Sequence, residues 1–186
     1  MKNTLILWLS LFTLVFLPQV SQAKDSDVMC LAKNIYYEAG SEPLDGKLAV
    51  AQVVMNRVAD PYFPKTVCDV INQKASVHAK SEWDDNISVC QFSWVCSGRK
   101  IINKESDNWK ESLMIAKKFL KEDFTYEYIN EKVLFFHNKQ ASFQNKNGFV
   151  KVATIGNHNF YMKKIYVANR WQKEIDKAYS RCYNAS

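Results

Sequence analysis

Residues 43–59 constrain the fold more than any other stretch of the chain. Leu44, Leu48, Ala51, Met55 and Val58 recur at helical spacing on one stripe, and Val50, Val53 and Val54 widen it. A helix with so broad an apolar face is stable only where other elements cover it, so this segment belongs at the centre of a core. It ends before Asp60-Pro61, because a residue preceding proline avoids the helical region. Ser41-Glu42-Pro43 marks its start, with Ser41 as the expected N-cap and Pro43 in the first turn. Another helix is expected just before it, over about 26–39, stopped by Gly40. A short helix is expected near 66–73, and an amphipathic one over about 107–121 with Trp109, Leu113, Ala116 and Leu120 inward. The pattern then changes. Segments 133–137, 149–155 and 160–167 are rich in aromatic and β-branched residues, and Asn-Lys-Asn-Gly at 145–148 is a turn signal. A last helix is expected over about 170–182. The predicted class is α+β, helical with a small antiparallel sheet near the C-terminus. Residues 74–104 show no sustained period and read as a long ordered loop, a kind of segment that often carries function.

The chain has 186 residues, and its first ones read as a targeting signal. Met1-Lys2-Asn3 precedes an almost purely apolar run from Leu5 to Leu17. Pro18 breaks the run, and Ser21-Gln22-Ala23 offers small residues where a signal peptidase reads. A spanning helix needs roughly 20 apolar residues, more than this run supplies. The expected organisation is a signal peptide over 1–23 and one domain over 24–186, with no stable membrane insertion after cleavage. The expected location is the periplasm or the exterior. A domain of that length builds one core and hardly two. The net charge of +6 is spread without a dense Lys/Arg block and mainly signals solubility, while a basic exported chain meets anionic partners at the cell envelope and seldom nucleic acid.

Export makes disulfides the default use of Cys30, Cys68, Cys90, Cys96 and Cys182. The odd count leaves at least one free thiol in the expected monomer. Cys182 shares helical spacing with Trp171, Ile175 and Ala178 and reads as a small buried apolar residue. Pairing among the other four is open from sequence, and the preferred bridge is Cys68–Cys90, stapling the loop between them. Cys-x-x-Cys is absent and His78, His137 and His158 are scattered, so neither a metal site nor a cofactor is expected.

Glu38 is the sharpest candidate for chemistry. It shares a helix face with Leu31 and Ile35 and therefore points toward the core. Burial disfavours a charged carboxyl, and one kept protonated near neutral pH can give its proton to a leaving oxygen. The competing reading is a hydrogen-bonded structural glutamate at a helix end. Tyr37 and Trp94 are assigned to a sugar-binding groove, because flat rings with polar edges suit sugars. Gln91 and Ser93, in the same loop as Trp94, are added to it. Phe92, Phe135 and Phe136 are assigned to the core. Ser93 and Ser97 lack the Gly-x-Ser-x-Gly elbow of a serine nucleophile. A cysteine nucleophile with a histidine base remains the rival enzyme class, and a non-catalytic glycan-binding module the rival outside enzymes.

Several ordered motifs together resemble the SleB/CwlJ-type cell wall hydrolases, the spore cortex-lytic enzyme family. They are Asn34-Ile-Tyr-Tyr-Glu-Ala39, Glu42-Pro43, Gly46, Ala49-Val50-Ala51 and Val54-Met-Asn-Arg-Val58, then Phe63-Pro-Lys-Thr-Val-Cys68, Cys90-Gln-Phe-Ser-Trp94 and Cys96-Ser-Gly-Arg99, and finally Ile155-Gly156, His158 and Phe160-Tyr161. The resemblance covers about 28–162 and leaves 163–186 as an extension. It implies a lysozyme-related catalytic domain that cleaves peptidoglycan between N-acetylmuramic acid and N-acetylglucosamine, with Glu38 in the place of the catalytic glutamate. This chain has Glu38-Ala-Gly-Ser-Glu42 where the family commonly has Glu-Ala-Arg-Gly-Glu. A two-carboxylate glycosidase would need a second acid, for which Glu42, Asp84 and Asp85 are the candidates. A lytic transglycosylase works with one, and the lack of a clear second carboxylate motif favours that route over hydrolysis.

Overall fold

The computed structural model describes residues 20–77, 87–98, 101–140 and 148–165. Its elements are α1 (Val20–Ala39), α2 (Leu44–Ala59), α3 (Val67–Asn72), β1 (Lys74–Val77), β2 (Ile87–Cys90), α4 (Ser93–Cys96), α5 (Asp107–Lys121), β3 (Val133–Asn138), β4 (Phe149–Ile155) and β5 (His158–Lys163). The class is α+β, as the pattern predicts. The expected signal segment lies largely outside the described residues. So do Asp84, Asp85, His78, most of the 145–148 turn and the expected helix at 170–182.

α2 sits at the centre. Leu48, Val50, Ala51, Val53 and Val54 are buried, whereas Leu44 at the first turn is half exposed. α1 packs along α5, α2 and α3. Leu31, Ala32 and Ile35 give α1 a fully buried stripe. Ser106 caps α5, its hydroxyl accepting the Trp109 N–H at 3.3 Å, and Trp109, Ile115, Ala116 and Phe119 turn inward. β3 and β4 flank β5 in an antiparallel sheet of order β3-β5-β4.

A buried polar network ties α2 to the start of the sheet. Asn56 Nδ2 donates to the carbonyls of Asn130 and Val133 at 2.8 and 3.0 Å, and Arg57 Nε donates to that of Leu134 at 2.7 Å. Gln52 accepts the Tyr126 N–H at 2.7 Å and donates to Asn56 at 2.8 Å. Buried polar groups are tolerated where they are paired, and these pairs lock the strand register against the helix.

Four expectations need correction. α1 begins at Val20, six residues before the expected start near Ser26. Ser41 does not cap α2. Pro43 holds the N-cap position with no side-chain cap, and its carbonyl accepts the Lys47 N–H at 3.2 Å. The stretch 74–104 is not all loop, because β1 and β2 pair antiparallel and α4 follows. Each of these elements has only four residues, too few to register as a period. β5 starts at His158 and ends at Lys163, because the turn at Gly156, with φ of 56°, reverses the chain there.

The disulfides are Cys30–Cys68 and Cys90–Cys96, not Cys68–Cys90. The first joins α1 to α3, a contact between helices that spacing along the chain does not reveal. The second closes a loop of six-residue separation that carries α4.

Candidate active site

A cleft of about 360 Å³ opens between the helical layer and the sheet. It is lined by Glu38, Arg57, Gln91, Ser93, Phe136 and His158, with Cys90, Phe92, His137 and Asn138 completing its walls. A neighbouring hollow of about 210 Å³ is lined by Tyr37, Ser93, Trp94, Ser97 and Gly98, so Ser93 borders both. Of the residues singled out from sequence, Glu38, Gln91 and Ser93 meet in the cleft, and Tyr37 and Trp94 form the wall of the hollow beside it.

Glu38 occupies the last turn of α1, on the face that Leu31 and Ile35 bury. Its carboxyl is pushed up to about 7, chiefly because burial disfavours the carboxylate, while the charge of Arg57 pulls the other way. Arg57 feels the converse. Burial lowers it to about 10 and the Glu38 charge opposes that shift. Arg57 is 2% exposed and is held by the carbonyl of Leu134 and by three rings. Its guanidinium carbon lies 5.4, 5.2 and 5.8 Å from the ring centres of Phe63, Phe92 and Phe135.

The tyrosine and tryptophan of the hollow are stacked, with ring centres 4.7 Å apart and planes at 26°. The Trp94 indole N–H donates to Asn34 Oδ1 at 3.0 Å, which ties α4 to α1 and orients the ring. The loop is held at both ends. Cys90 and Cys96 bridge its termini, and the Gln91 N–H donates to the Gln73 carbonyl at 2.9 Å.

Glu42 is not part of the cleft lining. It is 7% exposed, and its carboxylate accepts the backbone and side-chain N–H groups of Asn157 at 2.7 and 3.0 Å. It lies against Gly156, whose missing side chain leaves the room it fills. Glu42 thus fastens the α1–α2 junction to the β4–β5 turn. His158 lies 4.0 Å from it, beyond hydrogen-bond reach. The His158 ring is pulled below the usual histidine range, first by burial and also by His137, with Glu42 opposing. It is therefore neutral at pH 7.

Phe92 is buried as expected, whereas Phe135 and Phe136 are half-buried and Phe136 faces the cleft. The site residue that sequence reasoning missed is Arg57. Its signal was present, because an arginine three residues after Val54 and four after Val53 falls on the apolar face of α2. Among the described residues, no group of three or more His, Cys, Asp and Glu is arranged to hold a metal ion.

The solved catalytic domain of the germination-specific lytic transglycosylase SleB from Bacillus anthracis shares this fold, with a TM-score of 0.50, 24% identity, and coverage of 72% of this chain and 92% of that one. That likeness is one of fold: helices first, a small sheet late and a cleft between them. The Cell Wall Hydrolase family model matches residues 41–161, and the chain belongs to that family. Glu38 lies just before the matched span. Over 47 residues the chain is 43% identical to the spore cortex-lytic enzyme of Bacillus subtilis (strain 168), and 45% identical to that of Halalkalibacterium halodurans. Those matches cover 25% of this chain and only 15% and 14% of the relatives.

Proposed function

We propose that this protein is an exported, monomeric peptidoglycan-cleaving enzyme that cuts the bond between N-acetylmuramic acid and N-acetylglucosamine, with Glu38 as its catalytic acid and base. The observation that carries the reading is a carboxyl raised to about 7, the one carboxyl among the described residues lining the cleft. Membership of the Cell Wall Hydrolase family supports peptidoglycan as the substrate. Cleavage of the signal after Ala23 would deliver the domain outside the cytoplasm. Among the described residues no helix is long and apolar enough to cross a membrane.

The reaction we infer is lytic transglycosylation, the activity in the name of the Bacillus anthracis relative. Protonated Glu38 gives its proton to the glycosidic oxygen, and the bond from that oxygen to the muramic acid C1 breaks. The departing N-acetylglucosamine keeps the proton as its 4-hydroxyl. The Glu38 carboxylate then takes the proton of the muramic acid 6-hydroxyl, whose oxygen bonds to C1 and closes the 1,6-anhydro ring. Glu38 ends protonated, and no water is consumed. A single group serves both steps only if neither of its forms is strongly disfavoured at working pH. Tyr37 and Trp94 suit a neighbouring sugar ring, and Gln91 and Ser93 offer hydrogen bonds to its hydroxyl and acetamido groups. Glu42 has both oxygens engaged by Asn157 and serves the fold, which disfavours it as a second carboxylate. Hydrolysis through Asp84 or Asp85 is the alternative. Glu38→Gln tests the assignment. Gln keeps the shape and removes the titrating proton, so clearance of a peptidoglycan suspension should fall roughly 10²–10⁴-fold. Clearance by the folded variant at the wild-type rate would show instead that Glu38 is not the acid, and a non-catalytic glycan binder would clear nothing in either form.

A further inference from the structure

Arg57 is a full positive charge buried at the wall of a cleft that holds a half-buried acid. Burying an unpaired cation is costly, so its position calls for an explanation. One part of the guanidinium is satisfied, since Nε donates to the Leu134 carbonyl at 2.7 Å and the three rings around it face the cation. Another part is not, because Nη1 is buried and has no hydrogen-bond partner among the described residues. The rest of the cleft offers this cation little. His137 comes from β3 and His158 from β5, the latter neutral at pH 7, and the β2–α4 loop contributes only the uncharged Cys90, Gln91, Phe92 and Ser93. On α1 the neighbouring ionisable groups are Tyr36 and Tyr37. Glu42 turns away to Asn157. α3 and α5 also pack on α1, but none of their residues lines the cleft. Glu38 is thus the one acidic group lining the cleft among the described residues.

We infer that Arg57 is a positioning residue whose fixed, ring-caged cation holds and stabilises the anionic form of Glu38 generated when the glycosidic oxygen is protonated. This rests on the proposed role of Glu38 and adds to it. Burial alone would give a carboxyl that acts as an acid but re-ionises poorly. A cation on the same wall restores the base needed for the second step. Anchoring by Leu134 and the rings keeps the charge in place throughout, so no reorganisation is needed as the negative charge develops.

Two measurements test this. In the wild-type protein, the guanidinium ¹⁵N resonances of Arg57 should shift with the same midpoint as the Glu38 side-chain ¹³C carboxyl, and Glu38→Gln should remove that inflection. Arg57 resonances that stay flat through the Glu38 titration would overturn the inference, whether or not Glu38 proves catalytic. The second uses Arg57→Met and Arg57→Lys. Loss of the charge in Arg57→Met should raise the Glu38 midpoint by about one unit, a tenfold change in proton affinity. The alkaline limb of the rate profile should move up with it, kcat should fall roughly tenfold or more, and KM should stay within about twofold. Arg57→Lys should recover a good part of the loss. A folded Arg57→Met with an unmoved Glu38 midpoint, or one that raises KM and spares kcat, would overturn the inference. If Arg57→Met does not fold, the wild-type titration decides alone.

Discussion

Glu38 keeps its proton up to about pH 7 because burial disfavours the carboxylate, and this ties the stability of the fold to pH. In the unfolded chain the same group ionises near 4.5. Between those values the folded state binds more protons than the unfolded one, so stability falls as pH rises through this window. Glu38→Gln removes the penalty. It should match the wild type in stability at pH 4 and exceed it at pH 8 by about 1–3 kcal/mol, as read from denaturant unfolding at the two values. A difference that does not change with pH would mean that Glu38 ionises normally. Glu42 plays a different part, its two oxygens taken up by Asn157 in a structural contact. Glu42→Ala would remove both hydrogen bonds to Asn157 and cost about 1–3 kcal/mol. Glu42→Gln in a folded protein should lose far less activity than Glu38→Gln, whereas an equal loss would make it a second catalytic carboxylate. Glu38 could be read from sequence because its helix face could be read. The duty of Glu42 could not, because it depends on a contact with Asn157, 115 residues further along the chain.

The long helices follow from local pattern. α2 and α5 have enough turns for an apolar stripe to declare itself, and the stripe expected over about 107–121 coincides with α5. The paired strands β1 and β2 and the helix α4 escaped notice because four residues hold no period. Disulfide pairing escaped for a different reason, since it records which elements meet in space. The two bridges should therefore differ in effect. Loop-closure entropy assigns about 4 kcal/mol to Cys30–Cys68, which spans 38 residues, and about 2 kcal/mol to Cys90–Cys96, which spans six. Replacing the first pair by alanine should lower the unfolding midpoint more. Replacing the second should raise KM more, because its loop carries Gln91, Ser93 and Trp94. If both pairs change stability and KM alike, the bridges are not divided between fold and groove. Thiol titration of the unreduced, denatured protein should count one free cysteine of the five. A count of five would contradict both bridges.

At the scale of the whole molecule, the sequence foretold an α+β domain with a late sheet, and this is the architecture that places Glu38. A helical layer carries Glu38 on α1 and Arg57 on α2, the sheet supplies the opposite wall, and a disulfide-closed loop carries Gln91, Ser93 and Trp94. Arg57 was missed because an arginine on an apolar helix face gains meaning only once the cleft is formed around it. Family membership assigns this architecture to the cell wall hydrolases. What remains to be tested is whether one carboxyl completes the reaction without water. Purified peptidoglycan digested in heavy-oxygen water decides this by mass spectrometry. A single-glutamate enzyme leaves unlabelled, non-reducible 1,6-anhydromuramic acid ends, lighter by one water than a reducing end. Heavy oxygen in new reducing ends would contradict the account and make Asp84, Asp85 and Glu42 the next residues to replace.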